Sequence, residues 1–296
     1  MTTLIALTMA IITSLQAAAP PTVVSASRSQ RPGELVVLTV TPPAHADHLR
    51  VRAFGHEAAV FPVDAHTWRA LIGIDLDVKP GTYAVSVHDV DSGWSTTYAL
   101  TVAARTFPTR RLHVDEAFVN PPAAERERIA RDARLLEDTW KAAAPERLWT
   151  AFVRPVAEPA NSRFGTRSIF NGVPRNPHGG ADFLSPAGTP IHAPADGRVA
   201  VARDLYFTGN TVVIDHGLGL FSMLAHMSSV DVHEGDRVLA GQIVGRVGAT
   251  GRVTGPHLHW AVRLNAARID PLSVLALLGR EPERQARSRA VSRRRR

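Results

Sequence analysis

His178-Gly179-Gly180-Ala181-Asp182 and its distant complement His257-Leu258-His259 decide how the C-terminal half of this chain is read. Two adjacent glycines are poor helix residues, so His178 and Asp182 are not expected to share a helical face at i,i+4. A loop running into a strand is expected, with Asp182 opening the apolar run Asp-Phe-Leu. His257 and His259 follow Gly255-Pro256 and precede Trp-Ala-Val-Arg-Leu, a strand pattern. Residues i and i+2 of a strand share a face. Both histidines then look into one site while Leu258 packs behind. Together the two stretches offer two histidines and a carboxylate to a Zn²⁺ ion, with a further histidine beside it. Three protein ligands and an open position is the arrangement of a catalytic rather than a structural zinc site.

The chain has 296 residues and is 45% hydrophobic, enough for two domains with real cores. It contains no cysteine, which excludes disulfides, iron–sulfur clusters and a thiol nucleophile. A metal here must be held by His and carboxylate. The formal charge is +7, but residues 280–296 carry eight Arg against two Glu, leaving about +1 for everything else. The segment 279–296 reads as a basic disordered tail suited to an anionic cell-wall polymer or a membrane surface, with no specific nucleic-acid partner expected. Residues 1–19 read as a secretory signal: an apolar core over 4–15, too short to span a bilayer comfortably, ends at Ala17-Ala18-Ala19 before Pro20-Pro21. Export to the periplasm or cell envelope follows from that reading.

From 20 to 104 the pattern is short and two-periodic. Strands are expected at 22–26, 35–40, 48–53, 58–61, 68–72, 83–88 and 96–102, with turns at Pro32-Gly33, Pro42-Pro43, Pro80-Gly81 and Asp91-Ser92-Gly93. Seven short strands in this span suggest an immunoglobulin-like β-sandwich. His45, His48, His56, His66 and His88 fall here without ligand-like grouping. Residues 105–147 form a linker containing one helix, expected from about 123 to 144. Ile129, Ala133, Leu136 and Trp140 mark its apolar stripe, and Pro145 ends it. This face is placed to dock one domain against the other. From 148 to 278 the text becomes Gly-rich strands separated by turns such as Ala195-Asp196-Gly197 and Glu234-Gly235-Asp236, without helices between them, which argues for an antiparallel sandwich or barrel. The chain is thus expected to be all-β with one linker helix.

A third chemical element lies at Leu224-Ala225-His226-Met227, where His226 ends an apolar strand. With His257 it is placed to flank a water on the metal, and an imidazole there can move a proton or steady an oxyanion. Competing schemes lack their residues. His56-Glu57 is followed by Ala-Ala-Val and His233-Glu234 by Gly-Asp-Arg, so there is no His-Glu-x-x-His. There is no Gly-x-Ser-x-Gly elbow and no phosphate-binding Gly-x-x-x-x-Gly-Lys. Pro194-Ala195-Asp196-Gly197 and His233-Glu234-Gly235-Asp236 also suit a biotinyl or lipoyl carrier, but the only lysines, Lys79 and Lys141, lie outside that region.

The stretch 162–272 resembles the LytM/lysostaphin-type zinc metallopeptidases. The matching text is Ser162-Arg-Phe-Gly-Thr-Arg167, His178-Gly-Gly-Ala-Asp182, Pro194-Ala-Asp-Gly197, Gly209-Asn-Thr-Val-Val-Ile-Asp-His-Gly217, Leu224-Ala-His226 and Thr250-Gly-Arg-Val-Thr-Gly-Pro-His-Leu-His259. The resemblance implies the LytM-type fold, a duplicated hybrid motif, and cleavage of peptide bonds in bacterial peptidoglycan. It makes His178, Asp182 and His259 the ligands of one Zn²⁺ and His226 and His257 the catalytic histidines. A catalytically silent regulator of wall hydrolases is the alternative, and all five positions being occupied weighs against it. His216 lies in the family's Asp-His-Gly turn, where a structural role is expected; His192 and His233 read as surface residues.

Overall fold

A computed structural model of the protein describes residues 21–113, 116–160 and 164–280. The signal read at 1–19, the tail from 281 onward, and Ser162 and Arg163 of the family match lie outside the described residues.

The two-periodic N-terminal text folds into two four-stranded antiparallel sheets. One is ordered Thr22–Ala26, Leu35–Thr41, Thr67–Gly73, Ala59–Asp64, and the other His56–Glu57, Leu49–Ala53, Gly81–Asp89, Ser95–Val102. Alternate residues Val36, Leu38, Val40 and Ile72 face Val51, Val85, Val87 and Leu100 across a shared core, as sheet-on-sheet packing requires. The seven expected strands are present. His56–Glu57 adds an eighth, two residues long, too short to leave a periodic signal.

The Leu35–Thr41 strand is buried on both faces. Leu35 and Val37 point away from the sandwich and, with Ala59, Phe61 and Leu71, join a second core containing Trp149, Phe152, Ile269 and Val274. The sheet that carries them is therefore a middle layer between the sandwich interior and the C-terminal unit.

That unit is built on a nine-stranded sheet. Its main path runs Gly180–Phe183, Leu258–Leu264, Leu220–Val230, Gly209–Asp215, Gly197–Leu205, Arg237–Val238. All pairings in it are antiparallel, as expected. Outside it, Thr109–Leu112 of the linker pairs in parallel with Arg167–Phe170, a departure from the purely antiparallel expectation. The long connection between those strands makes the parallel geometry reachable. Leu258–Leu264 alternates strictly: Leu258, Trp260, Val262 and Leu264 enter the core, while His259, Ala261 and Arg263 face the other way.

On that second face lies the long helix. A 3₁₀ turn at Ala123–Glu125 leads into Arg126–Lys141, which ends short of the expected 144 where Ala142 leaves helical geometry. Leu135, Leu136 and Trp140 pack on Val201, Val213 and Phe221, with Trp140 edge-on to Phe221 at 5.3 Å. Arg128 binds the Asp204 carboxylate at 2.7 Å and the Asp132 carboxylate accepts from the Tyr206 backbone N–H at 2.8 Å. The helix thus seats on the C-terminal sheet and does not bridge the domains. Of the expected stripe, Leu136 and Trp140 pack on strand side chains of that one unit with Leu135 beside them, while Ala133 is exposed.

The bridge is made instead by the face of Leu35–Thr41 and by the helix Pro271–Leu278, which with a one-turn helix at Glu116–Val119 extends the one-helix expectation. Asp270 caps this helix by accepting from Leu272 N–H at 3.0 Å, and Pro271 opens it, where its missing N–H is harmless. The same carboxylate receives Arg28 at 2.6 Å; Arg28 also reaches Glu34, whose carboxylate accepts from Ser273 at 2.8 Å. Glu34, Asp270 and Ser273 are all buried. Replacing Asp270 by Ala removes a helix cap and one partner of a buried ion pair together. Stability should fall by about 2–4 kcal/mol in urea denaturation, and a loss under about 0.5 kcal/mol would show that this junction is not coupled to folding.

Candidate metal centre and cleft

The strand register assembles the site. Asp182 on Gly180–Phe183 lies directly across from His259 on Leu258–Leu264, and His259 lies across from Ala225 on Leu220–Val230. His178, one turn of loop earlier, is anchored by its backbone N–H to Thr166 O at 2.9 Å, and its carbonyl receives Gly165 N–H at 2.8 Å. Three donor atoms converge. His178 Nε2 is 2.9 Å from Asp182 Oδ1 and 3.0 Å from His259 Nδ1, and His259 Nδ1 is 2.8 Å from Asp182 Oδ1. Among the described residues this is the one group of His and acidic side chains with metal-binding spacing. The three side chains are 12–13% exposed.

Gly180 is required by this packing. A Cβ there would run into the Trp260 carbonyl and lie 2.8 Å from His259 Cε1, whereas Gly179 has open space.

The electrostatics suit a cation. Burial alone would raise the Asp182 carboxyl, but side-chain hydrogen bonds from His178 and His259 hold it far below the usual carboxylate range. Burial lowers His259 against the pull of Asp182, so its ring stays neutral. A neutral His259 ring beside an ionised Asp182 suits a divalent metal. Zinc bonds of about 2.0–2.2 Å in a tetrahedron set donor–donor edges of about 3.3 Å, close to the triangle seen here. The donor set therefore fits Zn²⁺.

His226 and His257 stand together beside the triangle, ring centroids 4.8 Å apart, and His257 Nε2 is 3.9 Å from Asp182 Oδ1. His226 Nδ1 lies 2.9 Å from Thr250 O, and His257 Nδ1 lies 2.9 Å from Gly255 O. A carbonyl only accepts, so each Nδ1 carries the proton and each Nε2 keeps its lone pair. Burial, then the neighbouring His259 and His257, push His226 down to about 3. His226 does not end its strand as expected. The strand runs on to Val230, and a bulge around His226, with the residue at φ 66°, turns the side chain out of the ladder.

His216 and His233 fall as read, while His192, expected at the surface, is half-buried. His216 is fully buried, its Nδ1 donating to Asp196 O at 2.8 Å and its Nε2 accepting from Ser222 at 2.9 Å; that hydroxyl in turn accepts from Trp260 Nε1. It braces the core beneath the site. His233 is exposed, and His192 is half-buried with Nδ1 near Pro155 O.

The five side chains open into a cleft of about 750 Å³. Its wall includes Arg110 and His113 of the linker, Arg175, Phe170, Phe207 and Arg252, none of which the sequence reading assigned. Arg252 stands inside the quoted Thr-Gly-Arg stretch, which was the available signal. Arg110 comes from text with no motif.

A model of peptidase family M23 matches residues 176–271. The chain is 42% identical over 97 residues to the DD-carboxypeptidase/endopeptidase Mpg of Neisseria meningitidis, covering 33% of this chain and 22% of that protein. It is 46% identical over 84 residues to the peptidoglycan DD-endopeptidase ShyA of Vibrio cholerae, covering 28% and 20%. The chain thus spans about a fifth of the length of these curated relatives. A Pseudomonas aeruginosa crystal structure assigned to peptidase M23 superposes with TM-score 0.66 at 33% identity, covering 84% of this chain and 96% of that one.

Two outcomes follow from this geometry. Gly180→Ala should weaken zinc binding about 10–100-fold by displacing the His259 ring, while Gly179→Ala leaves it unchanged, in titrations against a chromogenic chelator; equal effects would show that the close approach at 180 does not matter. The second concerns pH. Burial pushes His216 down from 6.5 to about 4. A base that is harder to protonate folded than unfolded leaves the unfolded chain binding more protons in between. Its contribution to stability is complete above about 6.5 and is lost as pH falls towards 4. Urea midpoints should drop over that window while the His216 ring, followed by NMR, stays neutral until near pH 4; a ring titrating at 6.5 would remove the effect.

Proposed function

The chain belongs to peptidase family M23, and on that premise we propose that it is a zinc endopeptidase that cuts peptide bonds of bacterial peptidoglycan. The observation that carries this reading is the convergence of His178, Asp182 and His259 within hydrogen-bonding distance, beside two histidines with free Nε2 atoms. The substrate class comes from the relatives named as peptidoglycan DD-endopeptidases. An intact donor set is unexpected in a silent regulator.

His178 Nε2, Asp182 Oδ1 and His259 Nδ1 would hold the ion. Bound there, zinc supplies a Lewis acid for the scissile carbonyl and lowers the pKa of a water towards neutrality. With the ion bound, His226 or His257 would accept a proton at Nε2, since both Nδ1 atoms are committed to carbonyls. The resulting imidazolium is a donor at Nε2, able to steady the tetrahedral oxyanion and then to protonate the leaving amine. Burial of His226 keeps it neutral beforehand, which is the state a base requires. His216, through Ser222 and Trp260, holds the strand Leu258–Leu264 that carries His259 and directly follows His257.

The division into an N-terminal domain at 20–104, a linker at 105–147 and a peptidase domain at 148–278 belongs to the same reading. The strand order of the N-terminal sandwich, first–second–sixth–fifth over fourth–third–seventh–eighth, supports calling it immunoglobulin-like. Action on peptidoglycan requires the cell envelope as location, consistent with a signal at 1–19 and with a basic tail that meets anionic wall or membrane.

The test combines metal content with activity on purified sacculi. The wild-type chain should release muropeptides, and a chelator should stop it. His178→Ala and His259→Ala should lose zinc and activity together. His226→Ala and His257→Ala should keep zinc nearly stoichiometric and lose about 10²-fold or more in rate. No metal-dependent release by the wild type would remove the proposed activity. Loss of zinc on His257→Ala but not on His259→Ala would reassign the ligands.

A further inference from the structure

Arg252 occupies an unusual position in the cleft. Its backbone N–H is tied to Phe207 O at 2.9 Å. Its guanidinium lies 4.5 Å from the Phe207 ring centroid and 5.5 Å from that of Phe170. Two aromatic rings therefore orient the group at the cleft wall that also holds the donor triangle. Among the described residues no acceptor pairs with any of its side-chain N–H groups. A half-buried cation with five donors and no acceptor is costly unless something else supplies one.

Its surroundings sharpen the point. Arg175 lines the same cleft, donates to Val119 O at 2.7 Å, and keeps its Nε buried without a partner. Arg110 adds a third guanidinium, held by Ser168 Oγ at 3.0 Å. Burial, and after it the charge of Arg175, push the Arg252 guanidinium below its ordinary range, so the two cations sense one another. Against them, the one carboxylate on the described wall is Asp182, already committed to His178 and His259.

We propose that Arg252, supported by Arg175, is a specificity residue that binds a free carboxylate of the peptide substrate beside the scissile bond. The planar guanidinium, held against two aromatic rings and without an acceptor among the described residues, matches a carboxylate with two parallel N–H···O bonds. This rests on the reading of the cleft as a peptidase site. It adds that the preferred substrate is an acidic peptide, and that amidation of the recognised carboxylate is discriminated against.

The experiment measures binding rather than turnover. The probe is the peptide L-Ala-γ-D-Glu-L-Lys-D-Ala-D-Ala, made with the D-Glu α-carboxylate and the terminal carboxylate each free or amidated. Dissociation constants are measured by calorimetry with the full chain, zinc-loaded and chelated. Amidating one of the two carboxylates should weaken binding about tenfold or more, and which one identifies the carboxylate recognised. R252Q should bind the free and amidated forms alike, and R252K, which keeps the charge but not the fork, should retain part of the preference. Equal binding of all four forms by the wild type overturns the proposal without recourse to any variant. A preference that survives in R252Q also overturns it, assigning the carboxylate to the metal or another cation. Discrimination without sacculus hydrolysis would leave this site standing and remove the hydrolase reading; hydrolysis without discrimination would do the reverse.

Discussion

The register between Gly180–Phe183 and Leu258–Leu264 is the constraint on which the site depends. A slip of one residue would send His259 into the core and Trp260 into the cleft, because side chains alternate with a period of two. The buried side of the strand prevents this. Leu258, Trp260 and Val262 are fully enclosed, and Trp260 finds its hydrogen bond at Ser222. The apolar core thus locks a polar triangle that would not hold its own geometry, since three converging lone-pair donors repel without a cation or proton between them.

The outer face of the same sheet is divided. Phe221, Val213 and Val201 are covered by the long helix, and the far end is left open around His226, His257 and His259. The helix also grips Asp204 and Tyr206, which lead directly into Phe207 and Thr208 on the cleft wall. In this way a surface helix with no residue in the site shapes it. The linker contributes more directly, because Thr109–Leu112 joins a small sheet with Arg167–Phe170 and brings Arg110 to the rim.

The N-terminal sandwich is joined to this frame by burial, not by a flexible tether. One of its strands, Leu35–Thr41, is covered on both faces, and the Glu34–Arg28–Asp270 cluster fastens it to the start of the last helix. Any ligand of the sandwich is therefore presented at a set distance from the cleft.

Much of this was legible in the text. Two glycines between His178 and Asp182 argued for a loop entering a strand. The i,i+2 spacing of His257 and His259 put both on one face, and strict alternation from Leu258 to Leu264 marked the strand. Those are short-range steric and periodic effects, carried by adjacent residues. Other features depend on partners distant in the chain. The apolar run at 35–40 reads as one strand, but only packing against Phe152 and Ile269 shows why both of its faces are apolar. The stripe Ile129, Ala133, Leu136, Trp140 signalled a packing face without saying which sheet it meets or that Ala133 would stay exposed. The bulge that turns His226 outward comes from an extra residue relative to a neighbouring strand, invisible in one strand alone. Arg252 stood in plain text within a motif, but its lack of an acceptor among the described residues is a property of space. Sequence by itself determined the donor types and the strands that carry them. Tertiary structure decided which donors converge, which cations go unpaired and what covers each face, because those are set by contacts between residues far apart in the chain.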